Sequence, residues 1–467
     1  MIYRHVSFYA LARGLPGLLA FFTIALYTHL LAPDQYGTYA LVLALAMFGN
    51  ALLFWWLKSS ILRYYPTPHR EFVLSTAVFF YYTLGGLLIA SAIILFITLP
   101  YPLGLLTALG SLLTLAFGFF EATLEILRAQ LKSAIYGGLS VIKAILAPLY
   151  TVILIKLGFG ASSPLIGLLL ATLLPSLLGA KYIWLRFHPK LRSSTALLIL
   201  KYGLPLGLTF LLSYAVGYID RFLIAYFLGQ GPTGIYAASY DLAFNGINML
   251  AWVVGLASIP LVISSYEKEG LSSARMHMRY NFRLQSFLLI PTTIAVSLYA
   301  PELTTSLLGE NYQKSADLVL ALTAIAATLH GYRNLHFDIA FQVVQKTRYQ
   351  AYSMVSAAVA NILLNLYAIP HWGLPGAAGV TVASYLVALA TSYYWSKRVW
   401  PVPVEVKTAI CITFIALMSL YSARWLITLI IQTAFSWIVG LALGGVLFLG
   451  LCLMLTRGQL RKFLADE

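Results

Sequence analysis

The sequence predicts an all-α polytopic membrane protein of about fourteen transmembrane helices, built as two pseudo-symmetric six-helix lobes plus two extra C-terminal helices. Three observations carry that prediction. Of 467 residues, 60% are hydrophobic and 10% charged, with mean hydropathy +0.84, whereas soluble domains carry roughly 25% charged residues. Apolar runs long enough to cross a bilayer, about 20 residues each, recur along the whole chain. The chain also starts twice on one plan: Gly14-Leu15-Pro16 answers Gly203-Leu204-Pro205, and Tyr36-Gly37-Thr38-Tyr39-Ala40 answers Thr233-Gly234-Ile235-Tyr236-Ala237.

Breaks at charge, Pro and Gly place the spans at 8–31, 36–61, 72–98, 103–131, 136–157, 162–187, 197–228, 233–264, 277–299, 315–344, 349–369, 374–397, 405–428 and 433–456. The first run follows Arg4 and Arg13 without a small-residue cleavage site after it, so it is read as a retained helix. A second echo links the fifth and eleventh spans: Gln130-Leu131-Lys132 and Tyr136 lead to Gly158-Phe159-Gly160-Ala161, as Gln345-Lys346 and Tyr349 lead to Gly373-Leu374-Pro375-Gly376-Ala377. Six spans separate the copies, an even number, so both copies have the same orientation and are related by an axis along the membrane normal. The expected organisation is a lobe at 1–194, a second at 195–400, and two added helices with a tail at 401–467. Residues 267–279 are expected either as a short basic helix on the inner surface or as a solvated loop.

A formal charge of +15 suggests anionic partners until its distribution is examined. With the N-terminus in the cytoplasm, about 24 of the 30 Lys and Arg fall on the inner side, Lys156, Lys314 and Arg424 fall outside, and Lys143, Arg221 and Arg333 lie within spans. The charge is therefore positive-inside bias, with both termini cytoplasmic and membrane lipids, rather than nucleic acid, as partners. Cys411 and Cys452 sit in apolar runs and are assigned to packing.

No phosphate-binding GxxxxGK[ST] loop, HExxH, CxxC pair or GxSxG is present, so the sequence reads as a transporter, not an enzyme, with no cofactor and no metal. Pro16 and Pro205 interrupt matching spans, the pattern of hinges in moving, site-forming helices. Charged residues in spans cost a few kcal/mol by insertion scales, so each should face protein or water. Arg221 either pairs with Asp220 or Asp241 or binds an anionic substrate. In the tenth span His330, Asn334, Asp338 and Gln342 recur every fourth residue with Arg333 beside them, a face expected to line a wet cavity. In the fourth span Glu125 and Arg128 are expected to pair within the helix, while the deeper Glu121, like Asp220, is a candidate for ion coupling. Lys143, Lys58, Arg63 and Arg13 either snorkel to the inner face or together form a cationic mouth suited to phosphate.

These motifs resemble a known family. Leu31-Ala32-Pro33-Asp34-Gln35-Tyr36-Gly37-Thr38-Tyr39 with Ile61-Leu62-Arg63-Tyr64-Tyr65 is similar to the opening of bacterial polysaccharide flippases of the multidrug/oligosaccharidyl-lipid/polysaccharide exporter superfamily. So are Tyr202-Gly203-Leu204-Pro205, Asp220-Arg221 with Gly234-Ile235-Tyr236, and Trp372-Gly373-Leu374-Pro375-Gly376-Ala377-Ala378. The resemblance implies a flippase for undecaprenyl-pyrophosphate-linked oligosaccharide (O-antigen or exopolysaccharide units) in the bacterial cytoplasmic membrane, acting by alternating access alongside polysaccharide polymerase machinery. Cation roles pass by motif to Arg63 and Arg221, and by position to Arg13; Arg333, Lys143, Asp241, His330, Asn334 and Asp338 are added from the residues themselves. A drug/cation antiporter of the same superfamily is the alternative, followed by a membrane-embedded glycan polymerase.

Overall fold

Inside a bilayer each backbone N–H and C=O must be satisfied within its own segment, which leaves an apolar run of this composition one form, the helix. The computed structural model describes residues 2–344, 346, 348–430 and 436–463, with side chains described for all of these except 2–13, 209, 256, 257 and 455–463. Among them are helices and no strand: α1 (Ile2–Leu30), α2 (Pro33–Tyr64), α3 (Arg70–Thr98), α4 (Leu103–Ala129), α5 (Ser133–Lys156), α6 (Ser163–Gly179), α7 (Ser193–Leu228), α8 (Gln230–Glu269), α9 (Leu271–Leu298), α10 (Ala300–Leu307), α11 (Ala316–Tyr332), α12 (Asp338–Val343), α13 (Arg348–Val399), α14 (Val406–Ile430) and α15 (Ser436–Phe463). Ten of them are long and apolar enough to cross a membrane, or eleven when α9 and α10, bent by 73°, count as one span. That set counts α13 once, although Gly373 breaks it at φ 60, ψ −141. Dividing α13 there, and adding α1 and the α11–α12 segment, gives a helix for each of the fourteen expected spans.

The expectation for residues 267–279 is corrected. No separate surface helix forms. The chain continues α8 to Glu269, breaks at Gly270 with φ 82, and enters α9 at Leu271. Gly270 takes a left-handed conformation that costs a Cβ-bearing residue about 1–2 kcal/mol, so one residue suffices to separate two long helices. Pro16 and Pro205 both lie inside their helices, and neither ends one.

Close packing groups the chain into two units. The first comprises residues up to Ala238, with Leu308–Tyr312 and Met354–Val380; the second comprises Ser239–Leu307, Gln313–Ser353 and Thr381 onward. In the first unit, α2 packs against α4 and α7, and α5 against α1 and α6. Phe54, Leu57, Ile61, Val78, Tyr81 and Ile126 belong to one buried cluster in it. Lipid is as apolar as these side chains, so helix association depends on close backbone approach and polar contacts rather than on burial alone.

That approach is made by glycine. A Cβ on Gly37 would lie 2.0 Å from the Gln230 carbonyl oxygen, and a Cβ on Gly234 2.0 Å from that of Pro33. Each glycine comes four residues after the carbonyl that receives the other. The two copies of the repeated motif therefore meet face to face. Thr38 Oγ1 donates to Gln230 Oε1 at 3.0 Å beside this contact, and further along the pair Gly203 rests on the Trp56 carbonyl. Leu308–Tyr312 adds a strap to the same unit: Tyr312, fully buried, donates from its hydroxyl to Leu31 O at 2.9 Å and meets the Tyr36 ring edge-on.

In the second unit α9 packs against α11 and α14, and α14 against α15. Between α11 and α12 the helix widens into a π-turn over Arg333–Phe337. A π-turn takes one backbone carbonyl out of the regular pattern. Asn281 and Gln285, one turn apart on α9, donate to Leu335 O at 2.6 and 2.8 Å, which supplies the turn with its missing partners.

Gly37→Leu or Gly234→Leu should lower stability by about 1–3 kcal/mol or more, since the backbones cannot separate without losing the whole contact. Gly86→Ala, where a Cβ would meet nothing within 4 Å, should leave thermal unfolding of the detergent-solubilised protein unchanged or slightly raised, and that comparison checks it.

Candidate functional site

The first unit encloses a cavity of about 450 Å³ walled by α2, α4, α5 and α7. Lys58, 5% exposed, forms an ion pair there with Glu121. Its ammonium also stands 4.1 Å from the centre of the Trp55 ring. Asn50, two turns before Lys58, donates to the same Glu121 oxygen at 3.0 Å. Nearer the end of α4, Glu125 and Arg128 pair at 3.6 Å within one turn, as their spacing led one to expect. Lys143 is held differently: its ammonium lies over Phe117 and Phe120 at 4.6 and 4.8 Å, and among the described residues it makes neither hydrogen bond nor ion pair.

An aromatic file runs from this cavity along α7. Trp55 meets Phe210 at 4.1 Å and Tyr214 at 6.3 Å, Tyr214 stacks on Tyr218 at 5.7 Å, and the Arg221 guanidinium covers Tyr218 at 4.6 Å. The spacing of three and four residues puts these side chains on one stripe of the helix. Arg221 is 1% exposed, as is Asp220. Asp220 accepts hydrogen bonds from Tyr236 and from Asn365, both at 2.7 Å.

In the second unit the polar face of the tenth span departs from expectation. Arg333 and Asp338 are 3% exposed, and their side chains pair at 2.8 Å. Ser392 donates to Asp338 at 3.3 Å, and Arg333 donates to Ser353 at 3.4 Å. The face expected to line a wet cavity is here packed into the interior at Arg333, His336 and Asp338, while His330 and Asn334 are half-buried and Gln342 is exposed. The cause is the π-turn. Residues five apart stand about 140° from one another on a regular α-helix, whereas the wider turn brings Arg333 and Asp338 together. His330 Nδ1 lies 3.0 Å from Asn248 Oδ1, and His336 Nε2 donates to Pro403 O at 3.0 Å.

The remaining expected residues are scattered. Asp241 is half-buried on α8 in the second unit, and Arg63 is exposed near the end of α2. The side chain of Arg13 lies outside the described residues. Asn50, Trp55, Phe210 and Tyr214 were not among the expected site residues. Asn50 and Lys58, eight residues apart in an otherwise apolar helix, were the available signal. The aromatics carried none, since ring-bearing residues are common in membrane helices.

With this geometry in place, comparison with known proteins fixes the kinship. The profile of the family described as polysaccharide biosynthesis protein matches residues 26–317. The chain belongs to that family. Among curated relatives, the uncharacterized membrane protein MJ1068 of Methanocaldococcus jannaschii is 21% identical over 202 residues, 43% of this chain and 38% of that one. The chain thus spans under half the length of that relative. Its fold is shared with a lipid II flippase, MurJ, in an inward closed conformation, at TM-score 0.80 and 13% identity over 97% of this chain and 99% of that one. It is shared also with an inward-facing multidrug resistance MATE family transporter of the MOP superfamily, at TM-score 0.64 and 14% identity over 84% and 97%. The family expected from the motifs and the all-helical transporter fold are both borne out, and the protein is a multi-pass membrane protein.

Removing one member of a buried ion pair strands the other, at roughly 3–5 kcal/mol, whereas replacing both with apolar residues is far milder. Arg333→Met should therefore destabilise the solubilised protein sharply, and Arg333→Met with Asp338→Leu should recover most of the loss. Thermal unfolding of the single and double variants reads the difference.

Proposed function

We propose that this protein flips a polyprenyl-pyrophosphate-linked oligosaccharide from the inner to the outer leaflet of the cytoplasmic membrane, for polysaccharide export. One observation carries the proposal: in a chain of the polysaccharide biosynthesis family, the cavity of the first unit is lined by Lys58, Lys143 and Arg128 against Glu121 and Glu125. Cations exceed carboxylates in a place where charge is costly. Two linked phosphates are the group such a place is suited to stabilise, since ammonium and guanidinium groups form strong charge-assisted hydrogen bonds with them.

In this account Lys143 contacts the pyrophosphate, and Arg63 and Arg13 guide it from the inner face, where both termini lie. Arg221 charges the interior of the first unit; Asp241, His330 and Asn334 are polar positions of the second, where Arg333 and Asp338 form a buried structural pair. Two six-helix lobes alternate in access, with Pro16 and Pro205 as the points where α1 and α7 bend. Glu121 and Asp220 are the carboxylates through which a proton or metal cation couples to the cycle. The polyprenyl tail stays in lipid throughout.

The test is transfer of a fluorescently labelled polyprenyl-pyrophosphate glycan between leaflets of vesicles containing the purified protein. Transfer is expected with wild type, and Lys143→Gln should slow it at least tenfold without loss of the folded protein. Vesicles that take up and retain folded protein yet transfer no labelled glycan would overturn the assignment.

A further inference from the structure

The cavity of the first unit holds its own anion. Glu121 reaches into it from α4, and a single carboxylate oxygen, Oε2, receives both the Lys58 ammonium and the Asn50 amide. The Glu121 side chain is 29% exposed. One face of its carboxylate is thus committed to donors and the rest is open to the cavity. Across the cavity Lys143 has three N–H donors and spends none of them on an acceptor among the described residues, its charge being met by the faces of Phe117 and Phe120.

We propose that this cavity binds the phosphorylated sugar headgroup of a lipid, and that Glu121 in this structure occupies the place taken by the headgroup's phosphate. The inference rests on the flippase reading and adds what competes with the headgroup's phosphate and where its sugar lies. On phosphate arrival the Lys58 ammonium passes from Glu121 to a phosphate oxygen, and the uncommitted Lys143 donates to the same group. A tethered carboxylate acts as a competitor of high effective concentration, so Glu121 weakens anion binding and keeps the lysine pair from capturing stray anions. The sugar's partner lies beside Lys58. Phe210 packs on the Trp55 ring at 4.1 Å and the Lys58 ammonium stands over it at 4.1 Å, so the passage of Lys58 to the phosphate uncovers an apolar face for the C–H side of a pyranose, with Ser59 and Tyr214 also lining the cavity. A volume of about 450 Å³ falls within the range of small-molecule pockets and is ample for a sugar phosphate.

Binding to the full chain in nanodiscs of zwitterionic lipid, followed by calorimetry, tests this with inorganic pyrophosphate, geranyl diphosphate, inorganic phosphate and glucose 1-phosphate as probes. Lys143→Gln should weaken pyrophosphate binding at least tenfold, and Glu121→Gln should strengthen it roughly five- to tenfold, because the competitor is gone. Should Glu121→Gln fail to fold, Glu121→Asp withdraws the carboxylate by one methylene and should strengthen binding in the same direction. Geranyl diphosphate should bind more tightly than pyrophosphate, and glucose 1-phosphate more tightly than phosphate, the second preference vanishing in Trp55→Ala. Unchanged or weaker pyrophosphate binding in folded Glu121 variants overturns the competitor role. Full binding in Lys143→Gln overturns the site, and geranyl diphosphate binding no better than pyrophosphate overturns the lipid assignment. If these affinities shift as stated while vesicles transfer no glycan, the cavity stands and the flippase reading falls. If glycan is transferred and the affinities do not shift, the reverse holds.

Discussion

An ionised side chain in an apolar interior must find an opposite charge, a set of aligned donors or water, and the charged residues of this chain answer that demand in different ways. Arg333 and Asp338 close on each other. Lys58 and Glu121 do the same across two helices. Asp220 is held by a phenol and an amide, and Arg221 lies against an aromatic ring. Lys143 rests on two rings, with Glu121 nearby but not hydrogen-bonded to it. A ring face returns much less than a carboxylate to a desolvated ammonium, so Lys143 has more to gain from an incoming anion than Lys58 or Arg333, which are already paired.

The fold was largely legible because its signal is local. A run of about 20 apolar residues either crosses or does not, and each of the fourteen runs has its helix. The Glu125–Arg128 pair was legible for the same reason, being set by three residues of helix. The π-turn was not. Asn334 and Asp338 look like neighbours on any regular helix, and the donors that support the wider turn, Asn281 and Gln285, lie about fifty residues earlier in the chain. The Lys58–Glu121 pair, 63 residues apart, was hidden likewise: each residue could be marked as costly, but not matched to its partner. At 267–279, expected as a short surface helix or a loop, one residue decided otherwise: Gly270 let two long helices run up to it from both sides.

Sharing a fold at 13% identity across 97% of the chain is what an apolar pattern allows. Leu, Ile, Val and Phe exchange freely on surfaces that meet lipid or one another, so architecture outlasts sequence. Chemistry is less transferable. A shared fold leaves function to the polar positions set on it, and in the first unit's cavity those are Lys58, Lys143 and Arg128 with Glu121 and Glu125.

The reciprocal contact of Gly37 with Gln230 and of Gly234 with Pro33 joins two copies of one motif, each presenting the same surface to the other. That is the geometry of an interface between identical subunits, folded into a single chain. The likeness stops short of the charges: the second copy carries Asp220 and Arg221, while the first has no Asp, Glu, Lys or Arg from Leu15 to Leu31, so the internal pairing keeps a symmetry that the polar interior does not share.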